Sequence, residues 1–423
     1  MISNLFKPLS QSDRWLYGML MLTMAAMLSW WRIGVLSILL LIVVFSIRGW
    51  VQHETIINRR IDRRQKLCLW LMVAYWLLYV ASVFWSDDKT EAWGTVCTKM
   101  PFAVLPLLFV WHNTDFLDRA HIRGLFYTML ATLSARFIIG IGISIAKVVT
   151  GVPVGKAFYW EFDPMGLHHN YLGLYLVIAL GFVYTEIRRH WNAGSRHWRV
   201  LMSIVTGILL LYMLLSDSRS AMVTTALLVC AALVHIVIIE RHWKSGVALA
   251  AGCMLLVGAA YLCVPQQFHR FGNIVHEMEA GRPIDDRAVL SQCAFEAIEG
   301  HWMFGFGSGD YMPVLLATYE QHDFQKGIDR HMGTHNQYLE TVMECGVVGL
   351  ILLLSMLLMP LLTHLKRDRR NLLVAMLTTA IMGQIFFESM FNRQMAIQIS
   401  AFCQCLMILY CHSEPIGQDA NAA

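Results

Sequence analysis

Twelve apolar segments joined by mostly short polar loops constrain this chain more than any other feature. They fall at roughly 15–31, 33–48, 67–85, 101–112, 124–148, 171–187, 200–216, 220–239, 247–264, 337–363, 372–390 and 394–411. Several approach the ~20 residues that a helix needs to cross a bilayer. In hydrocarbon a backbone must satisfy its own hydrogen bonds, so the segments are expected as helices. Composition agrees: 57% of the residues are hydrophobic and 15% charged, where soluble domains carry about 25% charged residues. The expected class is an all-α, polytopic integral membrane protein with about 12 transmembrane helices. Residues 1–264 would supply about nine of them, 265–336 one large and partly helical loop, and 337–423 about three more with a short tail.

Charge sets the expected orientation. Basic clusters occur at Arg59, Arg60, Arg63, Arg64 and Lys66, at Arg188, Arg189, Arg196 and Arg199, at Arg241 and Lys244, and at Lys366, Arg367, Arg369 and Arg370. All fall in alternate loops, so the positive-inside rule assigns them, with both termini, to the cytoplasm. The net charge of +4 then reflects orientation and does not imply nucleic acid. The N-terminal stretch has no small-residue cleavage site and reads as an uncleaved first span. The ten cysteines show no pairing pattern and no C-x-x-C, so neither a disulfide framework nor a zinc site is suggested.

The stretch from Pro265 to His335 then lies on the side where basic residues should be scarce. It carries Arg270, Arg282, Arg287, Arg330, His331 and His335. Arginines kept there suit the holding of something anionic. Within it, Asp285–Glu299 reads as a short amphipathic helix with Asp285 as N-cap and Leu290, Ala294, Ala297 and Ile298 on one face.

Three residues are the strongest candidates. Arg219, in Ser216-Asp217-Ser218-Arg219-Ser220, is either an interfacial arginine, snorkelling from a helix end or paired with Asp217, or an anion clamp. Arg287 stands in the first turn of the loop helix, where a cation opposes the helix dipole, so it either pairs with Asp286 or Glu91 or binds an anion. His335, in Gly333-Thr334-His335-Asn336, is either an interfacial cap or a base. A positive helix end should keep its ring neutral near pH 7, and a neutral imidazole can accept a proton from an attacking hydroxyl. Arg270, Arg330, His331 and the pair His168-His169 are possible supporting residues. The Gly305–Gly309 run lacks the context of a nucleotide loop and reads as tight turns. No metal site and no cofactor are expected, since Glu161-Phe162-Asp163 alone is a poor cation site.

These motifs, in this order on this topology, resemble those of the bacterial O-antigen ligase family, within the wider superfamily of O-antigen polymerases and protein O-oligosaccharyltransferases. Asp217-Ser218-Arg219-Ser220 is similar to its short periplasmic arginine motif. Asp286-Arg287 with the following helix and Gly305-Phe306-Gly307 is similar to its loop motif, and Thr334-His335-Asn336 to its histidine motif. Gly333 stands where some ligases carry a second histidine. The resemblance implies a glycosyltransferase of the bacterial inner membrane, taking part in lipopolysaccharide biosynthesis. Its donor would be an undecaprenyl-pyrophosphate-linked glycan and its acceptor a lipid A-core sugar. Arg219 and Arg287 would bind the diphosphate and His335 would activate the acceptor hydroxyl, in an inverting, metal-independent transfer. A polymerase extending the glycan on its own carrier is the nearest alternative, ahead of a protein O-oligosaccharyltransferase. A transporter would instead place ionisable residues at span centres and broken helices at mid-membrane; Arg136, Glu388 and Arg393 are its candidates here.

Overall fold

The computed structural model describes residues 9–52, 61–160, 162–190, 194–263, 286–367 and 372–412. Among these every regular element is helical. In chain order the helices are α1 (Gln11–Ser29), α2 (Trp31–Val51), α3 (Arg63–Ser82), α4 (Lys89–Thr98), α5 (Pro101–Trp111), α6 (Arg119–Val149), α7 (His169–Arg189), α8 (Arg196–Leu215), α9 (Arg219–Val234) and α10 (Trp243–Cys263). They continue as α11 (Asp286–Ile298), α12 (Tyr311–Gln321), α13 (Gln325–Asp329), α14 (Gln337–Arg367), α15 (Leu373–Phe387) and α16 (Gln394–His412). Each of the twelve apolar segments is helical, because a continuous apolar run can bury its peptide groups only against itself.

Eight of the helices are long and apolar enough to cross a membrane, and a ninth crossing results if α4 and α5, bent by 43°, form one broken span. The other three apolar segments are helices too, as α1, α10 and the 15-residue α15. The stretch around 85–100, which lies between two of the twelve apolar segments, is therefore largely the helix α4, with Lys99 and Met100 at its break from α5. Pro101, the first residue of α5, fits the position of that break, since a proline has no N–H to continue the ladder of the preceding helix and is tolerated at a helix start. The most enclosed spans are α7 and α16, whereas α8 and α9 lie at the edge of the bundle.

Helices α11 to α13 form a small separate layer. Leu290, Cys293 and Ala294 of α11 pack with Leu315 and Tyr319 of α12 and with Met343 of α14. The expected amphipathic helix is thus present from Asp286 to Ile298, with its apolar face on this cluster. Asp285, Arg270 and Arg282 lie outside the described residues.

A break in α14 fixes this layer to the bundle. Gly346 has φ 68 and ψ −166, which releases the carbonyls of the preceding turn. The turn after α11 takes them up: Phe306 N donates to Met343 O at 2.8 Å and Gly307 N to Glu344 O at 3.0 Å, while Val347 N donates to Trp302 O at 2.8 Å. The glycine run is therefore a set of tight turns, as its composition suggests, and its backbone docks on the opened helix. A side chain on Gly346 would meet the Met303 carbonyl and also sit at an unfavourable positive φ. Gly346→Ala should lower the unfolding midpoint in detergent, with backbone strain alone costing about 1–3 kcal/mol. Gly207→Ala in α8, where a Cβ meets open space, should leave it unchanged or raise it slightly. Equal midpoints for wild type and Gly346→Ala would refute the docking role.

Candidate functional site

His335 lies just before α14, at a positive φ of 47°. The helix start belongs to its neighbour: Asn336 Oδ1 accepts from Tyr338 N at 2.9 Å and Leu339 N at 3.2 Å, which caps α14. The histidine ring turns away from those amides and sets Nδ1 2.6 Å from Glu388 Oε1. The carboxylate, and not the helix end, is therefore the group in contact with the ring. The Glu388 hydrogen bond and charge raise the His335 pKa above its ordinary 6.5, and outweigh the burial that acts to lower it. A full negative charge in contact with the ring exceeds the half-charge of a helix terminus whose amides are already occupied.

Glu388 is presented by a break in the helical pattern. It follows α15 in extended conformation, with φ −156 and ψ 146, and precedes the 3-10 turn Met390–Asn392 that leads to α16. Side chains of α14 hold this segment. Gln337 Oε1 accepts from Phe391 N at 2.6 Å, and the Glu340 carboxylate accepts from Ser389 and Asn392. Thr334 Oγ1 donates to Glu340 Oε2 at 3.1 Å, tying the histidine loop to the same group. One turn along α14, Glu344 accepts from Tyr79 at 2.6 Å and lies 3.7 Å from Lys99 Nζ. Lys99 is fully buried at the α4–α5 break, 4.4 Å from the Tyr79 ring centroid and 3.3 Å from Asn392 Oδ1.

The two arginine motifs reach this centre by different routes. Arg219 is the first residue of α9 and is exposed. Beside it Ser218 caps the helix, and Ser220 Oγ donates to Asn170 Oδ1 at 3.4 Å. Asn170 in turn donates to the second carboxylate oxygen of Glu388. Hydrogen bonds therefore connect the arginine turn to the histidine through Asn170 and Glu388. Arg287, in the first turn of α11, is half-buried, and its charge acts on both His335 and Glu388. The charges of Arg219 and Arg287 both reach His169. Asp286, weighed above as a partner for Arg287, is paired with Lys326.

A cavity of about 780 Å³ opens beside the dyad. Its walls include His335, Glu388, His168, Lys99, Arg330, His331 and Arg393, together with Glu91, Thr95 and Thr98 of α4. Of the supporting candidates, His168, Arg330 and His331 thus line the cavity. His169 stacks on His168 at 4.0 Å between ring centroids. Arg219 and Arg287 are not among the lining residues. Arg136, by contrast, is a structural bridge: its guanidinium holds Asp163 through two 2.7 Å hydrogen bonds and also donates to the Leu28 carbonyl. Glu388 and Arg393 lie beyond the ends of α15 and before α16, so none of the three forms a charged path through span centres.

Sequence reasoning did not assign Glu388, Lys99, Glu340, Glu344, Asn392 or Arg393 to the site. A signal was present, since carboxylates and a lysine inside or beside apolar runs are costly unless they serve a purpose.

Residues 204–354 match a family model described as O-Antigen ligase. The matched stretch contains Arg219, Arg287 and His335 and ends before Glu388 and Arg393. No curated protein sequence matches the chain.

If Glu388 sets the protonation of His335, Glu388→Gln should let the ring lose its proton at lower pH. Peptide-resolved labelling with diethyl pyrocarbonate, which modifies the neutral ring, should show a midpoint above 6.5 for wild-type His335 and a lower one for the variant. An unchanged midpoint would dissociate the two residues.

Proposed function

We propose, from the match of residues 204–354 to the O-antigen ligase family model, that the chain belongs to that family and transfers a glycan from undecaprenyl diphosphate to a hydroxyl of lipid A-core at the periplasmic face of the inner membrane. The observation that carries this reading is the 2.6 Å contact between His335 and Glu388 at the wall of the cavity. With Nδ1 engaged by the carboxylate, Nε2 is the nitrogen left to take a proton. As the acceptor oxygen attacks the anomeric carbon, its proton passes to Nε2 and the bond from that carbon to the diphosphate oxygen breaks. Attack from the side opposite the leaving group inverts the anomeric configuration. Glu388 fixes the ring and stabilises the imidazolium that forms, an arrangement like that of other carboxylate–histidine pairs. Arg219 and Arg287 hold the diphosphate bidentately and meet the charge that develops on it.

Sidedness supports the same reading. The site draws on the C-terminal end of α3 and the N-terminal ends of α7, α9 and α14. The basic clusters occupy the opposite ends of those helices, at Arg63, Arg64 and Lys66, Arg188 and Arg189, Arg241, and Lys366 and Arg367. By the positive-inside rule those ends and both termini are cytoplasmic and the site is periplasmic. The full count of about twelve spans belongs to this reading as well.

His335→Ala should abolish transfer while leaving insertion and donor binding intact. Arg219→Lys and Arg287→Lys should each lower transfer, because lysine retains charge without the planar fork. Glu388→Gln should cost roughly 10²–10⁴-fold. In wild type, kcat/KM should rise with pH through the raised His335 pKa, because only the neutral ring can accept the proton. Turnover should persist in EDTA, since the charge work falls to the arginines. Full activity in the histidine and both arginine variants would overturn the assignment. Incubation with lipid-linked O-antigen and lipid A-core separates the two family activities: a glycan ladder on lipid A identifies a ligase, and longer chains on the carrier identify a polymerase.

A further inference from the structure

The site contains a second group of cations, separate from the two arginine motifs. Arg330 follows α13 and Arg393 precedes α16; both are exposed and both line the cavity that contains His335. Among the described residues neither has a carboxylate within ion-pairing distance. Arg393 is near enough to His168 and Tyr171 for its charge to act on both. His331 adds a third nitrogen side chain to the wall.

The acidic residues of the cavity are engaged by other partners, and among the described residues none is ion-paired with these two arginines. Glu340 is bound by Thr334, Ser389 and Asn392, Glu344 by Tyr79 and Lys99, and Glu388 by His335 and Asn170. Glu91 is the only other carboxylate among the lining residues. Three of the four acids are thus consumed by internal partners, while Arg330 and Arg393 remain turned to the space beside the base. Arg219 and Arg287 lie outside the lining, so the anion that those two hold does not account for the cavity pair.

We propose that Arg330 and Arg393 form an acceptor subsite that recognises an acidic group, a phosphate ester or a carboxylate, on the sugar that receives the glycan. This rests on the assignment of His335 as the base that deprotonates the acceptor. Guanidinium groups bind either anion through paired hydrogen bonds. The subsite would bring the acidic acceptor to the cavity while the donor diphosphate is held elsewhere. Thr95 and Thr98 on the facing wall offer hydroxyl partners for a sugar ring.

The test uses full-length His335→Ala protein in detergent, which binds without turning over. A lipid-anchored hexose is titrated in neutral, phosphorylated and uronic-acid forms. One or both acidic forms should bind at least tenfold more tightly than the neutral form. The advantage should disappear in Arg330→Gln/Arg393→Gln on that background and persist in Arg219→Gln. Unchanged unfolding midpoints will show that the variants are folded. Equal affinity for all three forms, or an advantage that survives the double substitution, overturns the subsite. Preference for phosphate or for uronic acid identifies which anion is read. In otherwise wild-type protein, Arg330→Gln and Arg393→Gln should raise the acceptor KM and leave the donor KM unchanged; a raised donor KM instead assigns both residues to the diphosphate and overturns the proposal. If wild type binds acidic acceptor selectively yet transfers nothing from an undecaprenyl-diphosphate donor, the transferase reading fails while the subsite stands.

Discussion

The contact between Glu388 and His335 depends on a carboxylate held in place at a point where the chain is not helical. Each oxygen of Glu388 has a partner, Nδ1 of His335 on one side and Asn170 on the other. Asn170 carries the constraint to Ser220, and so to the turn that presents Arg219. Thr334 carries a parallel constraint from the histidine loop into Glu340. The candidate base and the turn that carries the candidate arginine Arg219 are therefore joined by a shared set of short-range bonds. Charged hydrogen bonds of this kind are stronger than neutral ones, which suits a site whose parts come from several separate helix ends.

Beneath it, Lys99, Glu340, Glu344 and Tyr79 are buried beside the half-buried Asn392 and Tyr311. Burying charges costs several kcal/mol per ion, and removing one partner leaves the others exposed to that full cost. Such a group adds little to stability over an apolar replacement, but it tolerates few alternative arrangements. It joins α3, the α4–α5 break, α14 and the Met390–Asn392 turn. The loop layer is attached to the same part of α14 through the Gly346 break, so Arg287 is positioned relative to His335 by backbone pairing and by the Met343 contact.

Much of the fold could be read from the sequence, because hydrocarbon imposes a local rule: a long apolar run must be a helix. The amphipathic spacing of Leu290, Ala294, Ala297 and Ile298 was equally local, and α11 matches it within a residue or two. Arg219, Arg287 and His335 were legible as residue types in conspicuous loops. Their partners were not. Glu388 is 53 positions from His335 in sequence and Asn170 is 218 from Glu388, and no periodicity encodes a contact across such distances. Local reasoning about the ring also weighed a helix dipole without the carboxylate that the fold brings to it. The α4 helix was missed for a related reason: Lys89, Glu91 and Lys99 break its apolar pattern, and the tertiary partner that makes a buried Lys99 tolerable lies on α14.

The shortness of α15 explains why these buried charges are needed. It stops at Phe387 after 15 residues, and the chain crosses to α16 through an extended residue and one 3-10 turn. Backbone that leaves a helix inside a bundle loses the intrahelical partners of its peptide groups, and protein side chains must replace them. Gln337 takes the Phe391 amide, and Glu340 fixes the side chains of Ser389 and Asn392. A longer, regular α15 would need none of this, but it would carry residue 388 along a helical path, with a side-chain direction set by the helix surface. Ending the helix early lets the extended conformation aim Glu388 at His335. The cost is a carboxylate in the first turn of α14, which then requires its own surroundings of hydroxyls and amide, and a second acid and a lysine one turn deeper. The buried network and the position of the candidate base are thus two consequences of one interruption in an apolar helix.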